Sequence, residues 1–498
     1  MSGQVWSATA NPGWDPGWDP DEIFDRARAS ADSGDVPAAR AAYGQVMSAG
    51  HPDLSPKAAY SLGIVLSRAG DEAGARAAYQ WAVDSGHWEM APMAAVNLGG
   101  ILRDRGDVPG AKAAYERAVG SGHPDMAPRA AFAVGNLLVG AGDQQGARTA
   151  WDWGGRSNHP KYAPLCVASL GVLLAGQGDA AGARVAYQWA IDTGEPESVA
   201  FASYNLGVLL YERGDVTGAR AAYQRAVDGA SAEYTAKAGY NLGLLLVKQG
   251  DEIAAQAAYQ RAAATGYSEF APKAAYELGY LFDKQGDVTR ARGAYQQAVD
   301  SGHSKVFASA AYELAAMLNK AGDAAGAVSA YQKAADSGHA DLAPKAANQL
   351  GWLLAKQGDR AGSMAAFRRA GASGHAIAPK AAFELAYMLK QDGDFAAARI
   401  AYQQAVDTGD DETAPHAAFE LGEMLATQHD VSGARTAFQS AIDSGRAGVA
   451  PKAAYHLGNL LADHGAIPGA RTAYQQAVAS GHEEWSPAAA ERLLGLGT

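Results

Sequence analysis

The sequence predicts an all-α solenoid of about thirteen antiparallel helix pairs, closed at its end by a C-terminal capping helix. Two observations lead there. Gly-Asp pairs recur 36 residues apart, from Gly34-Asp35, Gly70-Asp71 and Gly106-Asp107 through Gly358-Asp359. Between them, apolar residues fall twice per period at the i, i+3, i+4, i+7 spacing of a buried helical stripe. A period of this size describes one supersecondary unit that buries its apolar face only by stacking on copies of itself. Gly393-Asp394 comes one residue early because "SGHAIAPK" is shorter than "SGHADLAPK", and His429-Asp430 and Gly465-Ala466 complete the thirteen.

The stretch "PKAAYELGYLFDKQGDVTRARGAYQQAVDSGH" (272–303) shows how one unit is built. Ala275, Leu278, Gly279 and Phe282 form the stripe of a first helix, and Ala291, Tyr295, Ala298 and Val299 that of a second. Gly286 can end the first helix in a left-handed conformation, and Asp287 can cap the second at once. With so little loop between them, the two helices must be antiparallel neighbours. Gly302 is placed to end the second helix, and Pro272 suits the first turn of the next one, where its missing N–H costs nothing. Two residues before that proline slot stands an apolar residue, as in Leu54, Met90, Met126, Tyr162, Phe270, Leu342, Ile377, Val449 and Trp485. Just outside a helix start, such a residue can pin the entering chain, so we read it as an inter-repeat packing peg.

The boundaries follow from this register. Residues 1–19 are an N-terminal lead-in carrying "GWDPGWDP", residues 20–485 the repeats as one continuous solenoid, and residues 486–498 the capping helix and tail. The second copy of the doubled motif starts the array: Pro20 opens the first helix, Asp19 caps it with Glu22 as capping-box partner, and Trp18 staples onto Ile23. The first copy, Trp14-Asp15-Pro16, lies out of register and reads either as a cap folded over the first repeat or as a free tail.

Composition narrows the function classes. A net charge of −12 over 498 residues, with no basic block, argues against a nucleic-acid partner. The single cysteine, Cys166, excludes an intramolecular disulfide and fits a reducing compartment. The first residues lack a basic region followed by an apolar one, and no window approaches a membrane-spanning run. The expectation is a soluble cytoplasmic protein without export signal or membrane partner.

Counting Gly286 as position 15, Leu278 (7), Gly279 (8), Ala291 (20), Tyr295 (24) and Ala298 (27) give the unit its small-and-aromatic signature. Position 24 is aromatic throughout, from Tyr43 to Tyr474, with Trp151, Phe367 and Phe438 as variants, and position 20 is Ala except at Ser363. This pattern resembles the tetratricopeptide repeat over roughly residues 20–494. It departs in its period, 36 where the family has 34, and in carrying Ala at position 4 with the aromatic one place later, as in Ala275-Tyr276. The linker "AVDSGHSKVFA" is similar to those of Sel1-like repeats. The resemblance implies a right-handed superhelix whose first helices line a concave groove with positions 2, 5, 9, 12 and 13, and whose usual task is to bind proteins.

No phosphate-binding loop, dinucleotide fingerprint, His-Glu-x-x-His or Cys pair occurs, so neither an enzyme nor a cofactor is expected. Eight histidines (His51, His87, His123, His159, His303, His339, His375 and His482) share the slot after the second helix. Equivalent slots of stacked units lie roughly 10 Å apart, too far to converge on a metal. We expect these residues beside the C-terminal carbonyls of the second helices, favoured by the helix dipole.

Carried onto this chain, the implied groove contains Tyr240, Tyr276, Tyr312 and Phe383 at position 5, and Tyr280, Trp352 and Tyr387 at position 9. Lys248, Lys284, Lys320 and Lys356 at position 13, Lys273 at position 2 and Lys390 one place before position 13 add a rim suited to an acidic protein or peptide. The position-5 aromatics equally fit the core, filling space that position 4 has vacated, and the lysines equally fit a solvated edge. The clamp for C-terminal carboxylates, which needs Lys at position 5 and Asn at position 9, is absent from every unit. On the opposite face, Trp81, Trp153 and Trp189 replace polar residues at position 26, and Gly154-Gly155 interrupts a nearby helix. That face reads either as a contact for self-association or as local repacking.

Overall fold

The computed structural model describes residues 19–496. Trp14 and Trp18, with the staple and the terminal cap expected of them, lie outside the described residues. Among the described residues there are 27 helices and no strand. The chain forms two compact units, Met1–Tyr267 and Ser268–Thr498. The first unit holds repeats one to seven, from Pro20–Asp32 paired with Val36–Ser48 to Ala232–Lys248 paired with Glu252–Ala264. The second unit holds repeats eight to thirteen, from Ala271–Lys284 with Val288–Asp300 to Ala450–Asp463 with Ile467–Ala479. A lone helix, Trp485–Gly495, follows the last pair and packs on both its helices.

The turn inside each pair is built as expected. Gly286 takes φ 76°, and the Asp287 carboxylate accepts the N–H of Arg290 at 3.0 Å. Asp71 caps the next helix of repeat two through Gly74 at 2.9 Å, and Asp323 that of repeat nine through Gly326 at 2.8 Å. In repeat twelve His429 itself adopts the left-handed conformation, φ 62°, which a side chain makes less favourable than glycine does.

The peg residues differ from expectation in one respect. Leu54 and Met90 are buried, but each is the first residue of its helix rather than a residue outside it. In those repeats the helix starts two residues before the proline, which still lies in the first turn, where no N–H is required. Phe270, Ile377 and Val449 instead stand just outside their helices, at the N-cap, as expected.

In ten of the thirteen pairs the aromatic ring at position 24 lies on a glycine at position 8, and in repeats one, nine and eleven that position is Ala27, Ala315 and Ala386. A Cβ at Gly279 would stand 2.6 Å from the ring of Tyr295, and one at Gly63 2.5 Å from that of Tyr79. Tyr295 and Tyr79 are buried by this seating, as are the alanines at positions 4 and 20, such as Ala275 and Ala291. Consecutive repeats are also tied at their edges. Arg40 reaches Asp71 at 2.9 Å, Arg220 reaches Asp251 at 3.2 Å, and Arg292 reaches Asp323 at 2.8 Å. Being solvent-exposed, these pairs contribute little individually.

The cap carboxylates give the fold an acid dependence. The N–H of Gly326, with the Arg292 guanidinium, holds the Asp323 carboxyl below the usual range. A folded-state value below the unfolded one contributes stability above the ordinary carboxylate range, about 4, and that contribution vanishes as pH falls through the lowered value. Asp323→Asn keeps an acceptor but no charge. Its stability deficit against the parent, followed by thermal unfolding across acidic pH, is expected to shrink as pH falls; a deficit constant across that range contradicts the assignment.

Candidate functional site

The expected groove residues fall in both units: Tyr240 and Lys248 in the first, the other eleven in the second. The position-5 rings are half-buried and lean on the position-24 ring of their own repeat. Centroids are 6.2 Å apart for Tyr240–Tyr259, 5.9 Å for Tyr276–Tyr295, 5.7 Å for Tyr312–Tyr331 and 5.8 Å for Phe383–Tyr402. They chiefly extend the core outward, because the alanine at position 4 leaves that space open.

Position 9 behaves differently. Tyr280, Trp352 and Tyr387 are 52%, 49% and 44% exposed, which is unusual for side chains of this size. Repeat ten has no aromatic at position 5; there Asn348 is buried with its Oδ1 unpartnered, and Trp352 packs edge-on against Phe367 at 5.6 Å instead. The exposed face of Trp352 is thus held in a fixed orientation.

Much of the lysine rim is engaged locally. Lys273 pairs with Glu269 at 3.4 Å and lies 4.3 Å from the Phe270 ring centroid. Lys390 pairs with Glu420 at 2.9 Å, and Lys248 donates to the Tyr211 hydroxyl at 2.6 Å. Lys284, Lys320 and Lys356 are exposed on the last turns of their helices. Beside this rim stands a feature that sequence reasoning passed over, a run of glutamates at position 6: Glu277, Glu313, Glu384 and Glu420. The signal was present in the recurring "YEL" and "FEL" triplets. Burial pushes the carboxyls of Glu277, Glu313 and Glu384 up, with the Asp283 charge adding to the effect at Glu313.

Sequence reasoning also missed an open groove of about 960 Å³ in the first unit, formed mainly by the first helices of repeats two to five. Gly100 and Ala133 line it where bulkier side chains could stand. Its trace in the sequence is Gly100 itself, at position 9 of repeat three.

These features can be placed beside known proteins. The tetratricopeptide repeat family matches residues 24–92, 60–122, 96–152, 169–234, 240–304 and 276–347, and a tetratricopeptide repeat-like domain matches residues 359–496. The chain belongs to the tetratricopeptide repeat family. Among solved structures, this tetratricopeptide repeat protein is similar to c5321, described as a protective antigen present in uropathogenic Escherichia coli strains displaying an SLR fold. The identity is 18%, over 95% of this chain and 97% of that one, with a TM-score of 0.39. A MamA protein matches at 20% identity over 35% of this chain and 91% of its own, TM-score 0.28. Pseudomonas aeruginosa pilF matches at 18% identity over 42% and 91%, TM-score 0.34. No curated protein matches the chain.

The linker histidines correct an expectation. Seven of the eight serve the start of the following helix rather than the carbonyl end of the preceding one; the exception is His303, whose Nδ1 is buried without a partner. His51 Nδ1 accepts the N–H of Leu54 at 3.1 Å, and His87 Nδ1 that of Met90 at 3.2 Å. On the other side of the ring, Nε2 of His87 reaches Asp53 at 3.1 Å, and Nε2 of His375 reaches Asp341 at 3.0 Å. The imidazole thus caps a helix N-terminus lacking Ser, Asp or Asn in that role, and joins neighbouring linkers. No group of three or more His, Cys, Asp or Glu among the described residues is arranged to hold a metal ion.

On the second helices, Trp153 and Trp189 are 42% and 44% exposed, and Val185, one turn before Trp189, is 70% exposed. Trp81 is half-buried and packs on the core of the first unit. The glycines near Trp153 have a packing reason. A Cβ at Gly154 would stand 2.5 Å from Cys166 Sγ, and one at Gly155 2.9 Å from Val167 Cγ2. Repeat five carries Cys166 and Val167 where most repeats have Ala-Ala, and repeat four has shrunk to receive them. Gly154→Ala is therefore expected to destabilise the protein by about 1–3 kcal/mol through overpacking, and Cys166→Ala in the same chain to recover most of that loss. A double-mutant cycle by denaturant unfolding checks this; additive effects would refute the steric explanation.

Proposed function

We propose that this protein is a non-catalytic scaffold that holds a protein segment against the first helices of its repeats. Tetratricopeptide repeats typically mediate protein–protein interactions, and the matched family supports that class of task. The observation that carries the reading is the set of exposed rings at position 9, Tyr280, Trp352 and Tyr387. Each stands at the same place of its repeat, where Leu244 and Ala316 stand in others. Partly fixed aromatic side chains give large contact area at small loss of side-chain freedom, which is the character of binding hot spots. Lys284 and Lys356 stand on the helices of Tyr280 and Trp352, Lys320 on the first helix of the repeat between them, and all three provide polar contacts at the rim. No helix among the described residues is long and apolar enough to cross a membrane. The test is affinity capture with Tyr280, Trp352 and Tyr387 changed together to Ala. Partners held by the parent are expected to fall at least roughly tenfold in recovery, as loss of even one hot-spot ring implies. Undiminished capture would sink the reading.

A second reading is favoured by Trp153, Val185 and Trp189, an exposed apolar group on the second helices of two adjacent repeats. Such a group suits a contact between copies of the chain. Light scattering across a concentration series should then show an oligomer that Trp153→Gln with Trp189→Gln dissociates. A species that stays monomeric in the parent rules self-association out.

A further inference from the structure

We propose that the groove in the first unit is a binding site for an acidic protein segment, with one carboxylate seated at the Tyr115 hydroxyl beside Arg129 and Arg68 adding a second cation farther along the groove. This rests on the scaffold reading but concerns a different place, the first helices of repeats two to five. The sequence expectation for these repeats was the convex-face tryptophans of their second helices, Trp81, Trp153 and Trp189, but no groove site.

The floor of the site comes from a missing contact. In repeat two, the Tyr79 hydroxyl meets the Asn97 amide, at position 6 of the following repeat. In repeat three, the equivalent neighbour of Tyr115 is Ala133, which offers no hydrogen bond. Above Tyr115, position 9 is Gly100, and a Cβ there would meet only the Tyr115 hydroxyl, at 3.9 Å. With two small residues beside it, Tyr115 lines the floor of an open groove of about 960 Å³, although the residue as a whole is only 2% exposed. That hydroxyl makes no hydrogen bond among the described residues, although its ring is almost wholly buried. It lies in the field of Arg103, of the Asp104 carboxylate that Arg103 holds, and of Arg129.

The charges around it are unequal. Arg68, Arg103, Arg129 and Lys161 line the groove against Asp104 and Glu197, four cations to two anions. Both anions are already engaged: Arg103 holds Asp104 at 2.8 Å, and Lys161 holds Glu197 at 2.8 Å. Arg68 and Arg129, both exposed, have no ion pair among the described residues. They are therefore the surplus, on a chain whose net charge is −12. Arg129 beside the Tyr115 hydroxyl is a donor set matched to a carboxylate, and Arg68, beside Tyr79, offers a second cation to the same segment. The half-buried rings of Phe132 and Tyr162, lining the same groove, provide the apolar surface that a peptide needs beside its charge. The groove is long and open, which suits an extended segment better than a small enclosed ligand.

The test uses fluorescein-labelled poly(Glu,Tyr) and poly(Lys,Tyr) copolymers, titrated with the full chain and read by fluorescence anisotropy. The parent is expected to bind poly(Glu,Tyr) against its own net charge, with an affinity that weakens as salt rises. Arg68→Glu with Arg129→Glu should weaken that binding at least roughly tenfold. Gly100→Leu should do the same by filling the groove, since the added side chain points into open space and leucine favours the helix. The Tyr280, Trp352 and Tyr387 alanine variant should bind poly(Glu,Tyr) like the parent. Circular-dichroism melting checks each variant, and the exposed arginine pair keeps the test valid should Gly100→Leu lower stability. Absence of poly(Glu,Tyr) binding overturns the proposal, as does parental affinity in the arginine double variant. Either result, together with affinity capture that depends on the three position-9 rings, removes this site while leaving the scaffold reading in place.

Discussion

Each repeat turns on one contact, a ring of the second helix resting on the bare backbone of the first. With a Cβ at Gly279 the distance to Tyr295 would be 2.6 Å, so glycine is what lets the two helices approach this closely. Ala27, Ala315 and Ala386, in repeats one, nine and eleven, mark the largest residue found there. Beside that ring, position 4 is small in most repeats, as at the fully buried Ala275, although Ile23 fills it in repeat one. The position-5 ring then folds onto the exposed edge of the first ring, as Tyr276 does on Tyr295. Most of the aromatic content of the first helices is thereby committed to stability. Side chains at position 9 are the ones left to face outward.

The same contact sets the polarity of that face. The hydroxyl of a position-24 tyrosine emerges beside position 6 of the next repeat, so one residue decides what it meets. In repeats two and three this is Asn97 and then Ala133, neutral in both cases. In the second unit, the Tyr295 hydroxyl is buried without a partner and lies in the field of Glu313. Glutamates recur there at Glu277, Glu313, Glu384 and Glu420. A lysine rim read in isolation implies attraction for acids. With Lys390 paired to Glu420 and Lys273 to Glu269, the surplus charge in the second unit is much smaller than the lysine count suggests.

The helix pairs, their turns and their caps were legible because each depends on residues close in sequence. Gly286 and Asp287 specify a left-handed turn and a cap wherever they occur together. The lysine pairing was legible in the same way, since Lys57, Lys237, Lys273 and Lys345 each follow an acid by four residues. The histidines were not, because their slot is equally near the end of one helix and the start of the next. Sequence spacing gives both dipole ends as neighbours, and only the ring's orientation, Nδ1 toward the N–H of Leu54 or Met90, chooses between them. The groove of the first unit was hidden for a related reason. Its floor needs Gly100, Ala133 and Tyr115 from three different helices, a coincidence that no local window displays.

Two glycines in the first unit show how departures from the repeat divide. Gly154 and Gly100 each stand where most repeats carry a side chain. At Gly154 the space is taken by Cys166 Sγ, so the loss on one helix is balanced by a gain on its neighbour and the core stays closed. At Gly100 nothing moves in, and the atom nearest to a would-be Cβ is the oxygen of Tyr115, 3.9 Å away. Random loss of a side chain should leave an apolar gap, which is destabilising and has no preferred occupant. Here the gap ends on a hydrogen-bonding group with Arg129 beside it, and Arg68 lines the same groove, neither in an ion pair among the described residues. A gap of that composition has a preferred occupant, one that brings its own negative charge.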